Sequence, residues 1–333
     1  MNHIPLASSL STINPSRIRE LADVAFTMEG VLRLQFGESN LPTPNYIKAA
    51  AAQAMAEGYT FYSENAGLPS LREAIAAKYR VLHQVELDPG SEIMVTASGV
   101  QALNVTIRCV IDHGDEALIL SPNWPNATEI VRMFGGIPRE IPYILDTTGP
   151  ERFTVDFEAL EAALTPKTRL LVCTSPSNPL GWVATVAEQQ KLLDFCRHHR
   201  LWLLADEVYE RLYFEGPIAP SMLRLCNRDD AVIIVQSFSK SYCMTGWRLG
   251  WTVSRPDLIK KAAQLNEFIV SHAPGMIQRA GEFALKYGDD DIHAMVEELH
   301  EKMTFCYEAL AAIKGLTLPK PQGPSTYSPR SKA

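Results

Sequence analysis

The sequence predicts an α/β protein built on a mainly parallel sheet, and three observations carry that expectation. Between residues 92 and 254, short β-rich apolar runs alternate with amphipathic stretches. The runs are continuously apolar, as strands covered on both faces require. A chain of 333 residues with 46% hydrophobic content can bury a large core, commonly as one large domain with a smaller companion.

The elements follow in order. Strands are expected at 93–96, 117–120, 170–173, 201–204, 232–235 and 249–253, where runs such as Val232-Ile233-Ile234-Val235 offer no polar face. Helical periodicity places helices at 70–79, 100–111, 127–134, 157–164, 186–199 and 256–269, the last with Pro256 near its start. The alanine-rich stretch 49–56 is good helix-forming sequence. A long helix is expected over 291–313, with Met295, Leu299, Met303 and Cys306 at helical spacing; a buried packing stripe is favoured there over heme or metal ligation. From 320 to 333, proline, serine and basic residues replace apolar periodicity, so no packed element is expected.

Lys and Arg number 31 against 38 Asp and Glu, a net charge of −7, and no basic block is present. Nucleic acid and anionic membrane surfaces gain no electrostatic support from such a chain, which leaves small molecules as the expected partners. Cys109, Cys173, Cys196, Cys226, Cys243 and Cys306 form no C-x-x-C pair, which points to free thiols in a reducing compartment and to no metal site. Residues 1–12 lack a basic segment followed by a long apolar run, and no window reaches the length of a membrane span. A soluble cytoplasmic protein is expected.

The chemistry is concentrated in Ser237-Phe238-Ser239-Lys240-Ser241-Tyr242-Cys243-Met244-Thr245-Gly246-Trp247-Arg248-Leu249-Gly250. A partly desolvated lysine at a strand exit can lose its proton and attack an aldehyde, while Ser237, Ser239 and Arg248 hold the phosphate of the same ligand. Pyridoxal phosphate is a ligand of that kind. Cys243, in the same loop, reads as a small space-filling residue rather than a catalytic one.

Asp206-Glu207-Val208-Tyr209 follows the apolar run 201–204, which puts Asp206 at the carboxyl end of a buried strand, where open α/β sheets bind ligands. A carboxylate there needs a positive partner; a helix N-cap is the alternative reading. Ser98-Gly99-Val100-Gln101 lies between a strand and a helix, so Gly99 can let the amides of Val100 and Gln101 approach a phosphate at the positive end of the helix. Trp124, on a proline-flanked connection, is favoured as a stacking ring over a core residue. Asn178 sits in the turn Pro176-Ser177-Asn178-Pro179-Leu180-Gly181, which turn chemistry alone would explain.

The S-x-S-K…G-x-R-x-G spacing of 237–250, with these other elements in the same order between Phe36 and Gly323, resembles the class I/II aminotransferases, pyridoxal-phosphate-dependent enzymes of fold type I in the aspartate aminotransferase-like superfamily. The resemblance implies a mainly parallel seven-stranded sheet between helices in a large cofactor-binding domain, 45–287. Residues 1–44 would form the N-terminal segment of a small α+β domain, and 288–333 an interdomain helix with the rest of that domain, incomplete here.

It further implies roles. Lys240 would carry the cofactor as an aldimine and shuttle the proton, Asp206 would pair with the pyridine nitrogen, and Tyr209 and Asn178 would hydrogen-bond the ring's phenolic oxygen. Trp124 would stack on the ring, and Ser237, Ser239, Arg248, Gly99, Val100 and Gln101 would hold the phosphate. Tyr62, in register with Gly67, Leu71 and Arg72 of a Y-x(4)-G-x(3)-L-R segment, would reach a neighbour's phosphate, implying a homodimer with shared active sites. The backbone of Gly37 would approach the substrate carboxylate; Ser39 stands where the family more often has proline.

The implied reaction is ping-pong transfer of an amino group from an amino acid to a 2-keto acid, a step in amino acid metabolism. The other readings are a β-lyase or cyclopropane-forming synthase on the same fold, or a cofactor-binding protein impaired in catalysis. The family continues past Gly323 with a strand and a later carboxylate-binding arginine, a role not carried over to Arg330. A strand reading Ala-Phe-Tyr-Leu-Phe-Pro-Lys-Ile, with a suitable choice of codons and one base lost, becomes Pro-Ser-Thr-Tyr-Ser-Pro-Arg-Ser, the sequence at 324–331. A frame change at that point is therefore expected.

Overall fold

The computed structural model describes Ile4, Ser11, residues 13–32, Leu34, residues 37–324 and Arg330–Ser331. In chain order the strands are β1 (Ile93–Thr96), β2 (Glu116–Ser121), β3 (Ile137–Pro142), a hairpin of β4 (Ile144–Asp146) and β5 (Arg152–Thr154), β6 (Thr168–Thr174), β7 (Trp202–Asp206), β8 (Val232–Ser237) and β9 (Gly250–Ser254). Seven of them form one sheet in the order β1-β9-β8-β7-β6-β2-β3. Only β9 is reversed, running antiparallel to both β1 and β8. The carboxyl ends of the other six strands therefore emerge along one edge.

Ten helices accompany the strands among the described residues: α1 (Arg17–Phe26), α2 (Asn45–Ala56), α3 (Pro69–His83), α4 (Gly99–Val110), α5 (Asn126–Met133), α6 (Phe157–Ala162), α7 (Val186–His199), α8 (Pro256–Glu267), α9 (Gly275–Tyr287) and α10 (Asp289–Ala311). Their ends are set by local chemistry. Thr185 and Glu188 form a reciprocal capping box at the start of α7, and Pro256 opens α8 at a position where its missing N–H costs nothing.

The continuous apolar runs reflect a sheet buried on both faces, because successive side chains alternate between two cores. Along β7, Leu203 and Ala205 join the core built with Ile47 of α2, Ile75 of α3, Leu192 of α7 and Ala280 of α9. Leu204 points the other way, into the core built with Val105 of α4, Ile130 of α5 and Ile259 of α8. Each fully buried aliphatic side chain of this kind contributes roughly 1.5–3 kcal/mol.

All six expected strand positions and all seven expected helices are present, and the sheet has the expected seven strands. Several elements were not foreseen, among them helix α1, strand β3, the hairpin β4–β5 and helix α9. Strand β3 carries Pro138 and Pro142, which an edge strand tolerates because one side of its backbone needs no partner. The hairpin β4–β5 has only three residues in each strand, too few for a periodic signal. Helix α9 carries Gly275 and Gly281, poor helix formers that its packing requires: a Cβ on Gly281 would lie 2.6 Å from Leu249 Cδ2, and one on Gly275 2.9 Å from the Tyr59 carbonyl oxygen.

One expectation about the tail is corrected. Pro321 and Gly323 are buried, the Gln322 amide donates to the Gly181 carbonyl at 2.8 Å, and Arg330–Ser331 pairs antiparallel with Leu316–Thr317, designated β11 and β10. The Gly181 carbonyl, which also accepts from the Gly323 amide at 3.2 Å, ties residues 322–323 down despite their lack of periodicity. Residues 325–329, within the expected frame change, lie outside the described residues. The methionine stripe of α10 packs as expected: Met295 and Met303 are buried, and Leu299 lies against Met295, Tyr209 and Leu212. All six cysteines are free. Among the described residues no cluster could hold a metal ion, and no helix is long and apolar enough to cross a membrane.

Candidate active site

The sheet delivers the candidate residues to one edge. Asp206 is the last residue of β7 and Ser237 the last of β8, while α4 begins two residues beyond Ala97. Gly250, at the start of β9, fits between these elements because it has no side chain. A Cβ there would lie 2.6 Å from the Gln236 carbonyl oxygen and 2.6 Å from the Gly99 nitrogen. After Asp206 the chain makes a turn and not a helix, and Asp206 Oδ1 accepts from the Val208 amide at 3.3 Å, so the N-cap reading is set aside.

Lys240 occupies the loop after β8. Its Nζ donates to the Gly37 carbonyl at 2.7 Å and stands 5.6 Å from the centroid of the Tyr209 ring. Burial lowers the ammonium below its ordinary value; Arg248 adds to the depression, and Glu38 and Asp206 oppose it. Asp206, 6% exposed, is displaced the other way. Burial raises its carboxyl to about 7, with the Val208 amide and the Lys240 charge pulling against that rise. Tyr209 is buried, its phenol raised by burial and then by Asp206, and its hydroxyl meets Asn178 Nδ2 at 3.4 Å. The structure thus brings Lys240, Asp206, Tyr209, Asn178 and Gly37 together from four separate stretches of chain.

A second group lies around the start of α4. Ser98 caps the helix, its Oγ accepting from the Gln101 amide at 3.2 Å, and holds a φ of 115° that side chains rarely adopt. This cap engages the Gln101 amide, and the Gln101 side chain donates to Asn266 Oδ1 at 3.0 Å. The amides of Gly99 and Val100 remain outside the helix's own ladder and open to an anion. Ser237 and Ser239 are both buried, the Ser239 amide donating to Ser237 Oγ at 3.1 Å. Arg248 is exposed, in the left-handed region with φ 55°, and among the described residues it has no carboxylate partner.

These residues fit pyridoxal phosphate on three counts. Among the described residues a buried carboxylate has no cation in ion-pair range, a lysine amine is partly desolvated, and an exposed arginine has no carboxylate partner.

One expected residue stands apart within one chain. Tyr62 is 92% exposed, its ring edge-on to His272 at 5.8 Å, so it reaches none of the groups above. Trp124 is half-buried against the core that includes Ala127 and Ile130. Gly67 and Arg72, matched only as motif positions, have a structural use: the Arg72 guanidinium ties the Gly67 and Pro89 carbonyls at 3.2 and 2.7 Å to Glu64.

Sequence reasoning also missed a latch. Thr43 Oγ1 donates to the Cys243 carbonyl and accepts from Trp247 Nε1 at 2.9 Å, while Thr245 donates to Glu38. Residues 37–43 are thereby fastened over the Lys240 loop. A cavity of about 450 Å³ lies beneath, lined by Glu38, Thr43, Cys243, Thr245 and Trp247; Lys240 and Asp206 do not line it. The conjunction of Thr43 with Cys243 carried no local signal, because the two lie 200 residues apart.

Comparison with known proteins gives this arrangement its family. The profile of Aminotransferase class I and II matches residues 30–327. Aromatic-amino-acid aminotransferase 2 of Thermococcus litoralis is 33% identical over 331 residues, covering 98% of this chain and 83% of its own. The aspartate aminotransferase of Pyrococcus abyssi is likewise 33% identical, with the same coverage of 98% and 83%. Among solved structures, the aspartate aminotransferase of Rhizobium meliloti superposes with a TM-score of 0.89 at 31% identity, covering 96% of this chain and 80% of its own. The chain belongs to the class I and II aminotransferases, pyridoxal-phosphate-dependent enzymes that move an amino group between amino acids and 2-keto acids.

Proposed function

We propose that Lys240 is the lysine that bonds the cofactor and the base that moves the substrate's proton. The observation that carries this is its surroundings: an amine depressed by burial, facing Tyr209, with the charges of Arg248 and Asp206 both acting on it. When bound, pyridoxal phosphate supplies an aldehyde carbon that amines can bond and a ring that accepts the electron pair left at the substrate α-carbon.

The chain's own residues do the rest. Asp206, ionised once a cation faces it, keeps a proton on the ring nitrogen. Tyr209 and Asn178, already hydrogen-bonded to each other, hold the ring oxygen. Trp124 covers one face of the ring. Arg248, Ser237 and Ser239 with the amides of Gly99 and Val100 hold the phosphate, the guanidinium supplying charge and the others direction, while the Gln101 amide stays with the Ser98 cap. The Gly37 N–H donates to the substrate carboxylate, while its carbonyl releases the Lys240 amine when that amine changes partner. The neutral form of that amine takes the proton from the substrate α-carbon, and burial favours that form.

We further propose a homodimer in which Tyr62 completes the partner's phosphate site. Supporting it are the 92% exposure of Tyr62 and the exposed aromatics Phe61 and Phe268, 82% and 86%. Residues 45–287 are read as the cofactor-binding unit and 1–44 with 288–333 as parts of a smaller one. Six free thiols favour the cytoplasm.

Borohydride reduction of the loaded protein followed by peptide mapping tests the central assignment: the pyridoxyl label belongs on Lys240, and a label on Lys261 or Lys286 overturns it. A donor panel with 2-oxoglutarate or pyruvate, including aspartate and aromatic amino acids, identifies the substrate.

A further inference from the structure

Directly behind the site lies a cluster of charged groups that the proposed chemistry does not use. Asp206-Glu207-Val208-Tyr209-Glu210 turns out of β7 with Asp206 and Tyr209 toward Lys240. Glu207 and Glu210 are both 2% exposed and find their partners elsewhere. Glu207 accepts from Ser221 Oγ at 2.7 Å and from the Met222 amide at 2.8 Å. Glu210 receives Lys78 on one carboxylate oxygen and His83 Nε2, at 2.9 Å, on the other. Lys78 and His83 both project from α3, and both are buried. The Lys78 ammonium also lies 4.7 Å and 5.4 Å from the ring centroids of Tyr79 and Trp251.

Stability does not account for this cluster. A buried ion pair gains little over apolar side chains of the same volume, because desolvation consumes the Coulombic attraction. Here the cost is higher, since His83 Nδ1 is buried without a partner. Burial pushes the Glu210 carboxyl up, yet the Lys78 charge and His83 outweigh it and hold the group near 2, fully ionised.

What the cluster does determine is where the turn sits. The Glu210 amide donates to the Glu207 carbonyl at 2.9 Å and its carbonyl accepts from Ala219 at 2.8 Å, so the residue is tied through main chain and side chain together. Tyr209 is its immediate neighbour.

We propose that Glu210, clamped by Lys78 and His83, is a positioning residue for amino-group transfer that fixes the turn presenting Asp206 and Tyr209 to the cofactor. The proposal rests on the reading that those two residues face the cofactor. A carboxylate gripped at both oxygens cannot slide or rotate, and Tyr209, one peptide bond away, inherits that constraint. Misplacement of a reacting group by about 1 Å costs on the order of a hundredfold in rate.

The test replaces the cluster by apolar side chains of similar volume, Lys78→Met with His83→Phe and Glu210→Met, in the loaded enzyme. Tyr209→Phe is the parallel control. The triple variant is expected to keep the wild-type melting temperature and a KM within about threefold, while kcat falls about ten- to a hundredfold. The pH midpoint of the cofactor's visible absorbance is expected to move, as it does in Tyr209→Phe. A triple variant with wild-type kcat and absorbance profile, beside a Tyr209→Phe that does shift, overturns the positioning role and leaves the site reading standing. A Tyr209→Phe that shifts nothing overturns both. Should the triple variant not fold, Glu210→Gln decides: the same direction of change supports the clamp, and an unchanged absorbance profile and kcat refute it.

Discussion

Asp206 gives a stability signature that needs no substrate and no cofactor. In the cofactor-free protein its carboxyl is raised from 3.8 to about 7, chiefly by burial. Between those two pH values the folded chain keeps a proton that the unfolded chain has lost. A group raised in this way contributes fully below its unfolded value and loses its contribution as pH climbs through the folded one. Each pKa unit is worth about 1.4 kcal/mol, so ionising Asp206 without a partner costs the fold about 4 kcal/mol. Asparagine at this position has no such dependence. The stability of Asp206→Asn minus that of wild type, from urea unfolding of the cofactor-free proteins, is therefore expected to rise by about 4 kcal/mol from about pH 4 to about pH 8. Glu207, raised to about 8 by burial and by the Glu210 charge, slopes the same way but is present in both proteins and drops out of the difference. Saturating cofactor should reverse the order at high pH, because wild type then gains a cationic partner for the carboxylate. A difference curve that is flat, or falls with pH, refutes the claim that Asp206 is a desolvated group awaiting a cation.

Arg248→Ala is expected to weaken pyridoxal phosphate retention about ten- to a hundredfold, the worth of about 1.5–3 kcal/mol for hydrogen bonds to a charged group, with little change in melting temperature because the side chain is exposed. Arg248→Lys should recover only part of that loss, having the charge without the fork; equilibrium titration followed by absorbance measures both. Mixing inactive Lys240→Ala with a Tyr62→Phe variant weakened in cofactor retention should give hybrids with one fully wild-type site, so that cofactor affinity and activity exceed the sum of the two separate preparations; strict additivity argues against a shared site. Leu203→Ala, in the centre of the sheet, should cost about 2–5 kcal/mol by denaturant unfolding while leaving the absorbance of the loaded protein unchanged.

How much of this was legible depended on whether a function lay in one stretch of chain. Strands β6, β7 and β8 announce themselves because a sheet covered on both faces admits no polar alternation, so Leu170 to Cys173 reads as a strand without reference to anything distant. Lys240 is legible for a related reason: the hydroxyls and the arginine that serve it lie within the same loop and strand. Helix α9 was hidden by the glycines that let it approach Leu249 and Tyr59, a need that exists only in three dimensions. The tail was misjudged on the same ground, since its hydrogen bonds are made to Gly181 and Phe214, more than a hundred residues earlier.

The turn after β7 shows the dividing line within five residues. Asp206 and Tyr209 could be singled out because an acid at a strand end and a phenol three positions later have a meaning toward any ligand bound there. Glu207 and Glu210, as acidic and in the same turn, carry no such meaning in the sequence. Their partners, Ser221 at a separation of 14 and Lys78 and His83 at 132 and 127, cannot be inferred from the turn itself. Placing a carboxylate in the interior is unfavourable unless a second element brings a cation to meet it, and α3 does so with Lys78 and His83. The residues that touch a cofactor are constrained by its chemistry and leave a short, recurring pattern. Those that hold such residues in place are constrained only by the geometry of this fold, and only a structure reveals them.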